Sequence, residues 1–102
     1  MNIKFFDYPL QFNIHETEYM RIIRDVFSRG AYILGDDLVT FEENLAKFCK
    51  TKFAVGVASG TDALLLSLFA AGIGHGDEII SVSHTFVATI EVIKLLGAKP
   101  VL

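Results

Sequence analysis

Apolar positions recur at helical spacing through the first half of the chain and shorten to strand-like runs in the second. Tyr19, Met20, Ile22, Ile23, Val26 and Phe27 fall on one helical face, which predicts a helix over 14–28. Asn13 followed by Glu16 resembles a capping arrangement at its start, and Gly30 ends it. Ahead of it Phe5, Phe6, Tyr8, Pro9 and Phe12 keep no period, so residues 1–13 are expected as an extended arm that packs its aromatics onto something. Leu38, Phe41, Leu45 and Phe48 then mark a narrow stripe and predict a second helix. Asp36 and Asp37 suit its start as caps and as negative charges near the positive end of the dipole. Glu43 and Lys47 lie four apart on its polar side, and Cys49 falls at its end as an inert thiol.

The period changes at Phe53-Ala54-Val55-Gly56-Val57-Ala58, a short run rich in branched residues that reads as a strand buried on both faces. A third helix, Ala63 to Ala71, is apolar almost all round and should be covered on several sides. Glu78-Ile79-Ile80-Ser81-Val82 predicts a second strand, a fourth helix runs from about Phe86 to Leu96 with Gly97 closing it, and Lys99-Pro100-Val101-Leu102 begins a third strand. Gly72-Ile73-Gly74-His75-Gly76-Asp77 looks like a glycine-rich nucleotide fingerprint, but it follows a helix and precedes a strand, the reverse of what that motif requires. Gly72 is read as a helix C-cap and the rest as a turn. The resulting order, two helices and then βαβαβ, favours a mostly parallel sheet with flanking helices, an α/β fold.

Ligands of such sheets bind beyond the carboxyl ends of the strands, where two turns fall together in the pattern: Ser59-Gly60-Thr61-Asp62 and Ser83-His84-Thr85-Phe86. Ser59, Thr61 and Asp62 are each suitable N-caps, and Gly60 lets a ligand approach the backbone. The first amides of the third helix lack internal partners and sit at the positive end of its dipole, which makes the turn a candidate phosphate cradle. Geometry alone also calls for a cap and a glycine in such turns, so a purely structural role stands beside that reading. The apolar segment between Gly30 and Gly35 likewise reads as a packed loop, or as one whose Tyr32 lines a pocket.

Composition narrows the classes. The chain has 102 residues, formal net charge −3 and 52% hydrophobic residues. That is apolar for so small a body, so part of the apolar surface is expected to be covered by something else. No run approaches the roughly 20 apolar residues that span a bilayer, and the N-terminus has no signal-like core, which makes the cytoplasm the expected compartment. Cys49 is alone, with no partner for a disulfide or a thiolate metal site. Mild acidity without a basic stripe argues against nucleic acid.

Taken in order, Gly30-Ala31-Tyr32-Ile33-Leu34-Gly35, Phe41-Glu42, Val57-Ala58-Ser59-Gly60-Thr61-Asp62-Ala63-Leu64, Gly72-Ile73-Gly74-His75-Gly76-Asp77-Glu78, Ser83-His84-Thr85-Phe86-Val87-Ala88-Thr89 and Gly97-Ala98-Lys99-Pro100-Val101 resemble the DegT/DnrJ/StrS sugar aminotransferases. These are pyridoxal-phosphate (PLP) enzymes of the aspartate aminotransferase fold. The resemblance covers nearly the whole chain but about the first quarter of such an enzyme. It implies an arm, helix and active-site loop over 1–35 and, over 36–102, the start of the large PLP-binding domain, stopping after the third predicted strand. It also implies that Gly60 and Thr61 bind the PLP phosphate and that Phe86 stacks on the pyridine ring, a place where the residues alone suggest an ordinary core aromatic. Ser59, Tyr32 and His84 are weaker pocket candidates, with His84 read chiefly as a helix cap.

The resemblance further implies a lysine that holds PLP and moves protons, and an acid beside the pyridine nitrogen. Both come from later in a complete enzyme, and none of the six lysines here suits the role, so no catalytic residue is expected in this chain and alone it is expected to be inactive. The expected whole is a homodimeric transaminase that takes a nucleotide-linked keto-sugar to an amino-sugar with an amino-acid donor. Three alternatives remain open: a family member that dehydrates sugars, a small phosphate- or nucleotide-binding α/β module, and a non-catalytic truncated partner subunit.

Overall fold

The computed structural model describes residues 4–102. Its elements are α1 (Tyr8–Arg29), α2 (Asp36–Cys49), α3 (Gly60–Ala70), β1 (Glu78–Ile80), α4 (Ala88–Leu95) and β2 (Lys99–Val101). They form two compact units divided between Ala54 and Val55.

In the N-terminal unit, helix starts six residues earlier than the periodicity predicts. Asp7 is the N-cap: its carboxylate accepts from the Leu10 amide at 3.2 Å, and Pro9 sits in the first turn, where no amide donor is needed. The expected arm is therefore helical from Tyr8 onward, and Asn13 caps nothing. Its first three residues lie outside the described ones, and its aromatics pack on each other, Phe5 edge-on to Phe6 at 5.0 Å and Phe6 stacked on Tyr8 at 5.7 Å. Gly30 closes α1 with a left-handed backbone (φ 64°), its amide donating to Phe27 O.

At α2 the N-cap is Gly35, with no side-chain cap, so Asp36 and Asp37 do not cap the helix and keep the dipole role expected of them. Arg29, in the last turn of α1, donates from Nη2 to Asp25 at 2.9 Å and to Asp37 at 2.8 Å. Those bonds, Asp37 first, push its pKa up from the usual guanidinium value. Among the described residues Glu43 and Lys47 form no ion pair, and Cys49 is exposed and free. Ala46 is the buried residue of α2, while no described residue of α1 is buried.

In the C-terminal unit, α4 packs against both α3 and β2. Its Val92 and Ile93 are the most buried side chains described, at 1% exposure each, and with Ala88 and Ala98 they make the core. Burying each of the two large ones contributes roughly 1.5–3 kcal/mol. β1 and β2 pair in parallel, Glu78 opposite Lys99, Ile79 opposite Pro100 and Ile80 opposite Val101. Lys99 N donates to Asp77 O and Ser81 N to Val101 O, each at 2.8 Å, so residues 99 and 101 face β1. Pro100, which has no donor, then turns its nitrogen to the other edge, where none is required.

Two expectations fail here. Residues 53–57 take no regular structure: the predicted first strand joins no ladder among the described residues, and apolar composition alone does not make one. Helix α3 begins at Gly60 rather than Ala63 and has no buried residue; Phe69 stands 68% exposed, because α4 is the one helix of its unit packed on it. The sheet is parallel and flanked by helices, as expected, with two strands.

The glycine-rich turn has a structural task. Gly72 continues past α3 with φ 79°, its amide donating to Phe69 O. Asp77 folds the turn by accepting from the Gly74 amide at 2.8 Å, and Lys99 N then docks on Asp77 O.

Candidate functional site

Ser59, one of three suitable caps, is the one used. Its extended backbone (φ −159°, ψ 167°) leads into α3, its Oγ accepts from the Asp62 amide at 3.1 Å, and its carbonyl accepts from Ala63 N at 3.0 Å. Two of the helix's four leading amides are thereby satisfied. The other two, on Gly60 and Thr61, have no acceptor among the described residues. They are adjacent, at the positive end of the dipole, and a Cβ built on Gly60 meets nothing within 4 Å. Asp62 adds a carboxylate to the same turn, so an anion there would be held by the two amides and the dipole against one negative charge.

The second turn follows β1. Phe86 is 75% exposed and meets no other ring among the described residues. The plain reading of it as a core aromatic therefore does not hold for this chain. A flat exposed ring near the end of a parallel strand is a surface on which a flat heterocycle can lie. His84 caps nothing: α4 starts two residues later than predicted, its N-cap is Val87, and no side chain bonds to the cap. Thr85 Oγ1 instead lies 3.4 Å from Thr89 Oγ1, linking the turn to the helix.

Ser59, Gly60, Thr61, His84 and Phe86 all belong to the C-terminal unit, though no hydrogen bond among the described residues joins the two turns. Tyr32 belongs to the N-terminal unit. There its ring packs 5.5 Å from Phe27 and its hydroxyl donates to Phe27 O at 3.4 Å, while the residue stays 66% exposed, so the loop is not the packed one expected.

PLP is a phosphate on a flat heteroaromatic ring, and both halves find suitable groups: two unpartnered amides with room beside Gly60, and an open aromatic face at Phe86. The residues present fit that cofactor. The lysines are otherwise engaged or placed. Lys4 pairs with Asp7 at 3.0 Å, Lys99 with Glu78 at 2.7 Å, and Lys52 lies over the Phe53 ring at 5.1 Å. Lys47 and Lys94 occupy the last turns of α2 and α4, and Lys50 caps α2.

A serine-capped glycine turn, a parallel βαβ unit and flanking helices define part of an α/β domain, and its match to solved structures makes it one of the PLP-dependent aminotransferase type. The chain superposes on Streptomyces venezuelae DesV, solved in complex with a ketimine intermediate, with a TM-score of 0.91 at 41% identity, covering 97% of this chain and 27% of that one. On NtdA from Bacillus subtilis with bound cofactor PMP the TM-score is 0.83 at 28% identity, covering 87% and 20%. Among curated proteins it is 47% identical over 79 residues to the UDP-2-acetamido-2-deoxy-3-oxo-D-glucuronate aminotransferase of Pseudomonas aeruginosa, 78% of this chain and 22% of that protein. The model of the DegT/DnrJ/EryC1/StrS aminotransferase family matches residues 13–102. The chain belongs to that family, and it spans about a quarter of the length of the relatives it matches.

Proposed function

We propose that these residues serve a PLP-dependent aminotransferase that converts a nucleotide-linked keto-sugar to an amino-sugar with an amino-acid donor. The observation that carries this is the pair of unpartnered amides on Gly60 and Thr61 beside a capping serine, in a family of aminotransferases. Bound PLP supplies an electron sink through which an amino group passes from one carbon skeleton to another. The amides of Gly60 and Thr61 donate to the phosphate, and Ser59 holds the turn in the conformation that aims them. Phe86, whose ring is exposed, would cover the pyridine face and shield it from water. His84 stands in the same turn as Phe86, where it can meet cofactor or substrate. The residue that carries the proton is assigned to none of the lysines described above.

The keto-sugar substrate is supported by the Pseudomonas relative, whose name specifies a UDP-linked 3-oxo sugar, and the cofactor by the PMP held in NtdA, since PMP is the amino form of PLP. The proposed whole is a homodimer of the cytoplasm with active sites at the subunit interface. No helix of the described residues is long and apolar enough to cross a membrane.

The deciding experiment is borohydride reduction of the natural protein with PLP, followed by peptide mapping. A pyridoxyl group on one lysine of a longer chain supports the proposal. A protein that takes up no pyridoxyl and binds simple phosphates alone would make the turn a general anion site.

A further inference from the structure

In the loop from Gly30 to Gly35, Tyr32 is held against Phe27, and the two residues after it have little of their own to fix them. Ile33 and Leu34 are 84% and 82% exposed, so neither gains by burial, and Leu34 keeps a left-handed backbone (φ 50°) that a branched side chain disfavours. No carbonyl accepts the amides of Tyr32, Ile33 or Leu34 among the described residues. The order is supplied at the two ends. Ala31 N donates back to Val26 O, Leu38 N and Val39 N donate to Gly35 O, and a Cβ on Gly35 would come within 3.3 Å of Ala31 Cβ, so the ends of the loop close on each other.

One side chain spans that closure. Arg29 puts Nε and Nη2 on Asp25 Oδ2 at 3.2 and 2.9 Å, which fixes the guanidinium along α1, and the same Nη2 reaches Asp37 Oδ2 at 2.8 Å in the first turn of α2. Each charge also sits at the helix end that favours it, Arg29 at the C-terminus of α1 and Asp37 at the N-terminus of α2. We infer that Arg29 is a clamp on this loop: its hydrogen-bonded ion pairs with Asp25 and Asp37 tie the last turn of α1 to the first turn of α2, and the conformation that presents Ile33 and Leu34 depends on them. All three groups are at least a third exposed, so the clamp is open to ions and loosens as salt rises. This inference holds whatever the protein's substrate is, since it rests on the N-terminal unit alone.

Hydrogen exchange of the natural protein, resolved to single amides by mass spectrometry, tests it at ionic strengths of about 0.01 M and about 1 M, where the screening length falls from roughly 30 Å to roughly 3 Å. The amides to follow are Gly30 and Ala31 at the end of α1 and Leu38 and Val39 at the start of α2, with those of α4 as reference. In the wild type all four are expected to exchange about 2- to 5-fold faster at high salt, the size a surface ion pair supports. Asp37→Asn should exchange at the fast rate in both salts, and Arg29→Lys, which keeps the charge but loses the fork, should do the same at Gly30 and Ala31. Acceleration by Asp37→Asn at Leu38 and Val39 alone would overturn the clamp, because it would leave Asp37 acting only on its own helix. Equal exchange in Asp37→Asn and wild type at low salt would overturn it as well.

Discussion

Substituting Thr61 by proline, valine and serine separates the two groups through which the start of α3 can hold a phosphate. The Thr61 amide bonds to nothing among the described residues, so proline removes a donor without breaking a helical hydrogen bond. Early helix positions accept proline, although its ring presses on the helical backbone of Gly60 before it. What is lost is one hydrogen bond to a charged group, about 1.5–3 kcal/mol, which is roughly a 10- to 150-fold rise in Kd for PLP. Thr61→Val keeps the amide and removes the hydroxyl, and should stay within about threefold of wild type, well under one such bond. Thr61→Ser keeps both and should bind as wild type does. The assay is a fluorescence titration of PLP into the natural protein freed of cofactor, with a thermal melt of each variant to separate binding from folding. Two results would refute the reasoning. Proline binding PLP as tightly as wild type would show that the amide is not used, and valine failing as badly as proline would transfer the role to the hydroxyl.

Local rules made the C-terminal unit readable and failed where a missing neighbour decides. Gly72 and Gly97 could be placed from sequence as helix-ending turns because a left-handed backbone depends on one residue's lack of a side chain, whereas the cap of α3 was narrowed only to Ser59, Thr61 or Asp62. The β1–α4–β2 unit was legible for a similar reason, since all its partners are close in sequence. Residues 53–58 were misread because strand is a property of pairs. Their composition fits a buried strand, but the segment joins no ladder among the described residues, and Val55 and Val57 instead line an open hollow against Ala63, Leu66, Ser67 and Ala70 of α3. The start of α1 was missed for a different reason. Asp7 with Pro9 behind it is a cap followed by a first-turn proline, but the scattered aromatics around the pair keep no helical period. Arg29 carried no sequence signal beyond its spacing from Asp25, because Asp37 comes within reach only when the loop closes.

Three further substitutions follow from the geometry. Phe86→Ala should weaken PLP retention without lowering the melting temperature, since the ring is mostly exposed and packs on no other; unchanged cofactor affinity would remove it from the site. The glycines at positions 60 and 97 should respond in opposite ways to alanine. At Gly60 the backbone is an ordinary one and the added Cβ meets nothing, so Gly60→Ala should leave stability alone and weaken PLP binding by crowding the phosphate, and full binding would show that the phosphate does not approach there. Gly97 holds φ 79° as it ends α4, with its amide on Lys94 O and the next amide on Ile93 O. Its added Cβ would stand 3.6 Å from His75 Cβ, an ordinary contact, so the cost of Gly97→Ala is that of a left-handed backbone, about 1–2 kcal/mol. Asparagine tolerates that conformation better while placing its Cβ at the same point. Gly97→Asn should therefore unfold in urea at a higher midpoint than Gly97→Ala. If the two variants unfold together, the strain lies in the approach to His75 and not in the backbone angle.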